Sequence, residues 1–327
     1  MTDTLEARGV VVSGTGGIWK VRLESGATIE ASLRGRLKKS NSGKRPDGSL
    51  RRDTIAAAAK TLKLAVGDDV RLDQSDAGDV WAIAEILPRR SKLARRAPGG
   101  GQGERILVAN VDQVLVMCAA ANPEPHPRML DRFLVIAEGN DLHARIIINK
   151  VDLVGEASAR ARFAHYERIG YTVHYTCVKS GVGLTELHDV LAGRRSVLTG
   201  PSGVGKSSLL NALFPGSNLR VGDISESVNK GRHTTVGALM LPLPDVDGGY
   251  VIDTPGLREV GLWGLPAEQL DQCFPEMRRR RDECRFANCR HVTEPGCAVR
   301  TGVETGEVSA QRYDSYVRLF EELDSAH

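Results

Sequence analysis

The chain has little that would suit it to a membrane or to secretion. No stretch of its 327 residues reaches the roughly 18 unbroken apolar residues that a membrane helix needs. Residues 1–10 lack a basic flank followed by an apolar run, so no signal peptide is predicted. We therefore expect a cytoplasmic protein with no membrane partner.

Aromatic residues and net charge are also low, at 5% and +3. With so few aromatic side chains, base stacking cannot dominate a nucleic-acid contact, and contacts to the phosphates and shape of structured RNA are favoured. The small net charge hides three basic clusters, within residues 34–52, 89–96 and 278–281. Such clusters are either footprints of a polyanionic partner or solvated basic faces, and three in one chain favour the partner.

Changes of pattern divide the chain into four segments. Residues 1–90 hold short alternating apolar runs between glycine-rich turns, which favours a small β-barrel. Residues 91–105 are basic and rich in glycine, and they are predicted to form a flexible linker. Apolar runs alternate with helical patterns in residues 106–265, which indicates a parallel sheet flanked by helices. Residues 266–327 carry four of the six cysteines and end in a helical pattern over 308–324.

A phosphate-binding loop is the strongest motif. Residues 200–207 fit the pattern GxxxxGK[ST] completely, between an apolar run and a helical stretch. The glycines let backbone N–H groups turn around phosphate oxygens, and the helix N-terminus adds a favourable dipole. Lys206 would reach the β- and γ-phosphates, and the Ser207 hydroxyl would bind Mg²⁺. The predicted nucleotide-binding residues are Gly200, Pro201, Ser202, Gly203, Val204, Gly205, Lys206, Ser207 and Ser208.

A second motif, Asn149-Lys-Val-Asp152, follows a predicted strand and indicates which base is bound. The carboxylate of Asp152 can accept hydrogen bonds from N1–H and the exocyclic amine of guanine, whereas adenine offers no such donor pair there. Asn149 and the aliphatic stem of Lys150 would complete the base pocket. GTP and GDP are therefore favoured over ATP.

Two groups between residues 231 and 256 are expected to contact the γ-phosphate and Mg²⁺. Asp253, after a predicted strand, could hold Mg²⁺ through water, and the Gly256 N–H could bond the γ-phosphate. Either Thr234 or Thr235 is positioned to sense Mg²⁺ and the γ-phosphate, and which of them does so stays open.

The residue that orients the attacking water is not the usual one. Ras-like enzymes have a glutamine directly after the glycine of the Asp-x-x-Gly motif, but Leu257 occupies that position here and cannot hydrogen-bond to water. His233, beside the switch threonines, is the candidate to orient water as a neutral imidazole. The alternative is a histidine that only packs against the loop or caps it.

The order of the motifs is permuted. The guanine motif comes before the phosphate loop and Asp253, whereas in Ras-like GTPases it comes after them. The site survives such reordering if the original chain termini lay close together. Residues 176–179 then stand at the fifth GTPase motif, usually Ser-Ala-Lys, from which Cys177 and Val178 depart. The residues assigned to the base pocket from this motif are Cys177, Val178 and Lys179.

Three cysteines and a histidine crowd together near the C-terminus. The spacing Cys284-x₄-Cys289-x-His291-x₅-Cys297 supplies three thiolates and one imidazole within fourteen residues. Four protein ligands close the coordination shell of zinc, so one structural Zn²⁺ is predicted, taking the place of a core that this small segment lacks. Four buried residues without metal is the alternative. Cys273 is a spare thiol eleven residues before the first ligand.

Together these residues resemble the circularly permuted ribosome-associated GTPases, in particular the RsgA (YjeQ) family of small-subunit-dependent GTPases. The likeness covers nearly the whole chain, including Asn110-Val-Asp112 and the motifs above. It implies a multidomain α/β protein with an N-terminal OB-fold barrel, a central circularly permuted P-loop GTPase domain and a mostly helical C-terminal zinc domain. It also implies late maturation of the 30S ribosomal subunit, with binding to its rRNA and release on GTP hydrolysis. A monomer is expected.

Two other functions stay open at this point. Leu257 is compatible with a nucleic-acid-binding switch that turns over little nucleotide. A metabolic P-loop kinase is disfavoured by the guanine motif and by the lack of a visible acceptor-binding motif. GTP turnover with and without ribosomal subunits separates the three functions.

Overall fold

The structure is a computed structural model of the chain. It describes residues 6–15, 17–33, 64–74, 80–96, 104–215, 238–244, 248–254 and 265–325. Within these ranges no helix combines the length and the apolar character needed to cross a membrane.

Five strands near the N-terminus close into a barrel in the order β1-β2-β3-β5-β4. Small apolar side chains that alternate along the strands fill its interior, among them Val11, Val21 and Ile83. Strand β1 pairs with β2 along one edge and with β4 along the other, and a register shift lies between Val11 and Ser13 in the ladder with β2. The predicted OB-like barrel is confirmed. Its strands are β1 (Glu6–Thr15), β2 (Ile18–Leu23), β3 (Thr28–Leu33), β4 (Asp69–Gln74) and β5 (Trp81–Ile86).

The segment predicted as a flexible linker differs from that expectation. Strand β6 (Lys92–Arg96) pairs antiparallel with β7 (Glu104–Ala109), and residues 97–103 lie outside the described part. Leu93 has no exposed surface and packs in the core of the central domain. The basic and glycine-rich composition of this segment favours a loop, so sequence analysis did not predict strand β6 or the burial of Leu93. The domain boundaries stay predictions.

The central sheet has the strand order β10-β9-β8-β11-β13-β12. Five of these strands are parallel, as the sequence predicts, while β12 runs antiparallel to β13 at the edge. The strands are β8 (Gln113–Ala119), β9 (His143–Asn149), β10 (Thr172–Tyr175), β11 (Arg195–Thr199), β12 (Leu239–Pro242) and β13 (Tyr250–Asp253).

Helices cover both faces of this sheet because alternate strand residues point to opposite sides. Val114 and Val116 of β8 belong to the cluster with α1 (Pro127–Glu138) and α2 (Glu156–Ile169). Leu115 and Met117 belong to the cluster with α3 (Leu184–Leu191) and α4 (Lys206–Leu213).

Residues 265–325 form a module with no strand, built from short helices and turns. Its helices are α5 (Pro275–Arg278), α6 (Ala298–Glu304) and α7 (Ala310–Ser325), with 3₁₀ turns at Ala267–Cys273 and Arg281–Glu283. The apolar face of α7 carries Tyr316, Leu319 and Phe320 into the same core as α1. The module therefore shares a core with the central domain.

Candidate functional site

The loop of residues 200–207 connects the end of β11 to the start of α4, at the carboxyl edge of the sheet. Gly200 has φ +142°, and a Cβ there would lie 2.1 Å from the backbone oxygen of Met117. Gly205, with φ +105°, precedes the first residue of α4. These positions require glycine because a β-carbon would strain the backbone and would collide with Met117 at position 200 and with Asn149 Nδ2 at position 205. The first N–H groups of α4 are thereby left to face a phosphate.

Lys206 lies across the mouth of this loop. Its Nζ donates to the backbone oxygens of Gly200 at 2.8 Å and of Pro201 at 2.5 Å. The ammonium group is therefore held at the loop itself, where the phosphates of a nucleotide would lie. Of the other loop residues, Val204 is buried, Ser207 is half-buried, and Ser202, Gly203 and Ser208 are exposed.

Asn149 joins the phosphate loop to the fifth-motif segment. It is buried at the end of β9, and its Nδ2 donates to the backbone oxygen of Val204 at 2.9 Å. Its Oδ1 accepts from the backbone N–H of Val178 at 3.2 Å and from Thr176 Oγ1 at 3.3 Å. The Asn149 side chain thus links the phosphate loop to the fifth-motif segment, which lies more than 20 residues before it in the chain.

Lys150 and Asp152 lie beside Asn149 with different exposure. Lys150 adopts φ +62°, and its Nζ donates to the backbone oxygens of Gly203, at 2.8 Å, and of Asn122. Its stem thus spans from β9 to the phosphate loop. Asp152 lies in a 3₁₀ turn at Val151–Leu153 and is exposed, so its carboxylate is open to a base.

The fifth-motif residues differ in what they offer. The side chain of Cys177 is buried, and its N–H donates to Val182 at 3.0 Å, so this residue presents only backbone. Val178 is half-buried and Lys179 is exposed. Thr176, which the sequence analysis did not assign to the base pocket, is fully buried and hydrogen-bonds to Asn149.

Asp253 is the one predicted catalytic residue that lies within the described part of the chain. It ends β13 and pairs in register with Leu198 of β11, two residues before Gly200. Its half-buried carboxylate therefore lies at the same sheet edge as the phosphate loop. The remaining predicted catalytic residues, His233, Thr234, Thr235 and Gly256, lie outside the described residues.

The predicted zinc ligands come together in the C-terminal module. The ligand atoms of Cys284, Cys289, His291 and Cys297 lie within 4.8 Å of one another. His291 Nδ1 is 3.5 Å from Cys284 Sγ and 3.4 Å from Cys297 Sγ. A tetrahedral ion with Zn–S of about 2.3 Å and Zn–N of about 2.0 Å requires an edge of about 3.5 Å, so the donor set fits zinc in both type and size.

Residues around this cluster orient the imidazole. With Nδ1 directed at the thiols, Nε2 lies 3.5 Å from the buried carboxylate of Asp271, a common partner of a metal-bound histidine. The backbone oxygen of His291, whose φ is +60°, accepts from Tyr313 OH at 2.7 Å. Sequence inspection missed Asp271, since it lies 20 residues before the histidine with no spacing rule to mark it.

Cys273 does not belong to the metal cluster among the described residues. Its thiol is buried and lies 3.9 Å from the backbone oxygen of Gln269. Burial raises the pKa of this thiol to about 12, so it stays protonated at neutral pH.

Most described arginines of the basic clusters have acidic partners within the chain. Arg278 pairs with Glu138, Arg280 with Glu307 and Arg281 with Asp271. Arg89 forms a buried pair with Asp68, and Arg90 pairs with Asp112. These clusters therefore have a structural role in addition to any contact with a polyanion, while residues 34–52 lie outside the described part.

The chain matches the family model of the RsgA GTPase over residues 86–263. It is 56% identical to the small ribosomal subunit biogenesis GTPase RsgA of Gemmatimonas aurantiaca, over 98% of both chains. Identity to the protein of the same name from Shewanella oneidensis is 38%, over 85% of this chain and 79% of that one.

Solved structures give the same likeness. The crystal structure of YjeQ from Thermotoga maritima superposes with a TM-score of 0.74 at 35% identity, covering 98% of this chain and 99% of that one. YloQ, described as a circularly permuted GTPase, gives 0.73 at 28% identity over 99% and 96% of the two chains.

Proposed function

The chain belongs to the RsgA GTPase family, and from that premise we propose how its own residues bind GTP and hydrolyse it. It is a GTPase of small ribosomal subunit biogenesis. One observation carries the assignment of its site: Asn149 and Lys150 of the guanine motif hydrogen-bond to Val204 and Gly203 of the phosphate loop. A base pocket and a phosphate cradle that adjoin in this way suit one guanine nucleotide.

In the proposed complex, the phosphates lie on the backbone N–H groups of residues 200–208, with Lys206 on the β- and γ-phosphates. Asp152 accepts from the guanine base, and the backbone of Cys177, Val178 and Lys179 lines the base pocket. Ser207 and Asp253 would hold Mg²⁺, which neutralises charge on the β- and γ-phosphates. The register of Asp253 beside β11 supports this placement.

Hydrolysis requires a group that orients water for attack on the γ-phosphate, opposite the leaving GDP, and Leu257 cannot do so. We assign this task to His233, with Thr234 or Thr235 on Mg²⁺ and the Gly256 N–H on the γ-phosphate. His233→Ala should remove most GTP hydrolysis but leave the affinity for GTP within about twofold, since removing a group that acts only in the transition state spares binding. Unchanged hydrolysis by this variant would refute the role.

Zinc is the proposed resident of the second site. Cys284, Cys289, His291 and Cys297 would hold it, and Asp271 would keep the imidazole oriented. With four protein ligands the ion would serve folding rather than chemistry, since no coordination position is left for a substrate.

The partner is proposed to be the 30S subunit, whose rRNA would be bound by the basic residues within 34–52 and by the C-terminal module. Binding to rRNA should weaken steeply with salt, because each phosphate contact releases counterions. The protein would act as a monomer in the cytoplasm, and hydrolysis would time its release by changing the switch residues.

GTP turnover by the purified protein alone, with 30S subunits and with 50S subunits tests this function. Stimulation by 30S alone is expected, and Lys206→Ala serves as the control that removes nucleotide binding. Stimulation by neither subunit would contradict the proposed partner. Slow turnover under every condition would instead favour the switch with little turnover, and transfer of the γ-phosphate to a small molecule would favour the kinase.

A further inference from the structure

We infer that the loop between the first two zinc ligands, Cys284 to Cys289, is a platform on which one unpaired RNA base stacks, with Phe286 as the stacking ring. This inference rests on the proposed function, because it assigns the residue by which the C-terminal module would contact RNA. It concerns a side chain that neither the metal site nor the nucleotide site uses.

The exposure of Phe286 is the first observation. All six phenylalanines of the chain lie within described residues, and five of them are buried. Phe286 alone is exposed, at 40%. The exposed part of the ring is not packed within the chain, so it is available to contact a partner.

The loop that carries the ring is held at both ends. Cys284 and Cys289 are members of the metal cluster, and the Cys289 N–H closes a turn onto the Phe286 oxygen at 3.2 Å. The Arg285 N–H donates to the oxygen of Gly296 at 3.1 Å. A ring presented on such a constrained turn loses little conformational entropy when a base stacks on it.

The charge around the ring suits a nucleotide. The guanidinium carbon of Arg285 lies 5.5 Å from the centroid of Phe286. Arg290, directly after the loop, is 60% exposed and lies 3.8 Å from Asp324. Between residues 277 and 300 there are seven arginines and three acidic residues. Four of these arginines pair with acidic residues of the chain, namely Arg278, Arg280, Arg281 and Arg290, which leaves Arg285 as the cation beside the ring. Aromatic rings flanked by arginines are the usual means of holding unpaired bases together with their phosphates.

The residues that follow the ring border a cavity, which Phe286 itself does not line. Its volume is about 300 Å³, at the lower end of ligand pockets. Asn288 and Arg290 line it from the zinc loop, and Arg281 and Phe320 line it from the surrounding module. The carboxylates of Glu268 and Asp271 also line it, so the cavity suits the polar edge of a nucleobase rather than a phosphate.

A protein partner fits this surface less well. Within residues 265–325, Phe286 is the only exposed large hydrophobic side chain. The buried core of a protein interface is more apolar than the rest of the surface, and one exposed ring supplies only a small part of such a core. We therefore infer that the occupant of this surface is an unpaired RNA base.

The test compares the full-length protein with Phe286→Ala, Phe286→Trp and Met129→Ala. Met129 is the control because it is equally exposed, at 41%, but lies at the start of α1. The probes are a short unstructured RNA of alternating cytidine and adenosine, a blunt RNA duplex of the same length, and 30S subunits. The zinc content of each variant reports whether the loop still folds.

Phe286→Ala should bind the unstructured RNA roughly tenfold more weakly, with little change for the duplex, since stacking of one base is lost. Phe286→Trp should keep the affinity, and its added emission should be quenched by the RNA. Met129→Ala should match the unaltered protein. Equal affinities of the Ala variant and the unaltered protein would overturn the inference, as would equal losses on both RNAs.

A loss on 30S subunits without a loss on the unstructured RNA would also overturn it, since the ring would then contact a ribosomal protein. The proposed function fails by a different result, namely no stimulation of GTP turnover in the unaltered protein by 30S subunits. The two failures are therefore read from different measurements.

Discussion

The central domain joins the barrel on one side and the C-terminal module on the other, and the two junctions are built differently. At the C-terminal junction, Arg312 of α7 has no exposed surface and binds Asp131 of α1 and Glu276 of α5, each at 2.8 Å. At the barrel junction, Arg195 of β11 binds Asp69 of β4 at 2.6 Å, and the Asp69 side chain is 35% exposed.

The difference in burial decides what each junction permits. Burial alone would lower the pKa of Arg312, but the carboxylates of Asp131 and Glu276 outweigh that effect and raise the pKa well above its ordinary value. Separating such a group from its partners leaves uncompensated charge in the core, which is very costly. The C-terminal module and the central domain should therefore behave as one folding unit.

The ion pair of the barrel junction is more open to water, although Val10, Val12 and Val66 of the barrel pack in the same apolar core as the central domain. Besides the Asp69 pair, Arg195 Nη1 donates to the Gly67 oxygen at 2.9 Å, and its own N–H donates to Asp112 at 2.8 Å. Arg195 begins the strand that ends at the phosphate loop. A movement of the barrel would therefore act on the strand that carries the nucleotide site, and this junction is where we expect such movement.

Removal of the metal should have the largest effect on stability, and it tests whether the C-terminal module and the central domain unfold together. Chelation, or Cys284→Ser, removes bonds worth on the order of 10 kcal/mol in small zinc modules, so residues 265–325 should lose their fold. Because α7 shares a core with α1, the melting temperature of the central domain should fall as well, and that of the barrel should fall less. Differential scanning calorimetry combined with hydrogen exchange would follow each part.

Cys273→Ala is the matched control, since this buried thiol lies outside the metal cluster. It should retain one zinc per chain. If the central domain kept its melting temperature after zinc loss, the two parts would not form one unit.

Arg312→Ala is expected to have the next largest effect. It leaves two buried carboxylates without their partner, which should lower the free energy of unfolding by about 3–5 kcal/mol. Arg128→Ala, on the same helix pair, breaks an exposed ion pair with Asp314 and should cost about 1 kcal/mol or less. Urea denaturation measures both variants, and similar costs would show that burial does not distinguish these ion pairs.

At the barrel junction, Asp69→Asn should cost about 1 kcal/mol, because it weakens charge-assisted bonds that water partly replaces. Limited proteolysis of the segment between barrel and central domain should become faster. Glu85→Gln is the control, since it removes an exposed pair with Arg71 inside the barrel and should leave proteolysis unchanged. If Asp69→Asn lowered the free energy of unfolding as much as Arg312→Ala, the two junctions would not differ in stability.

Local motifs could be predicted from sequence, while the junctions could not. The phosphate loop and the zinc ligands are encoded by spacings of a few residues, and the structure brings each set together. Arg312 and Asp131 are 181 residues apart, so only the folded topology joins them. A signal existed, since Arg312 lies on the apolar stripe of α7 with Tyr316 and Leu319, and an arginine there indicates a buried ion pair.

The hydrogen bonds of Asn149 show the same limit at the nucleotide site. Its motif predicted a place in the base pocket, but its bonds to Val204 and Val178 depend on the order of strands in the sheet. Strand β6 was not predicted for another reason. It lies in a glycine-rich and basic segment, and such a composition favours a loop.

The smallest expected effect is a pH dependence of the exposed part of the C-terminal junction. Arg132 of α1 donates two hydrogen bonds of 2.7 Å to Glu322 of α7, and these bonds lower the pKa of Glu322 from its ordinary value of 4.5. A carboxyl group with a depressed folded pKa stabilises the fold above the unfolded value and loses this contribution as pH falls through the folded value. Since the Glu322 side chain is 51% exposed, solvent screening limits the contribution to about 0.5 kcal/mol.

Glu322→Gln should therefore be less stable than the unaltered protein at neutral pH, and the two should converge in acid, below the folded pKa of Glu322. High salt should also reduce the difference at neutral pH, because an exposed pair is screened. Thermal denaturation of both proteins across this pH range measures the difference. A difference that stayed constant from neutral pH into acid would mean that packing of the side chain, rather than its charge, stabilises this edge of the junction.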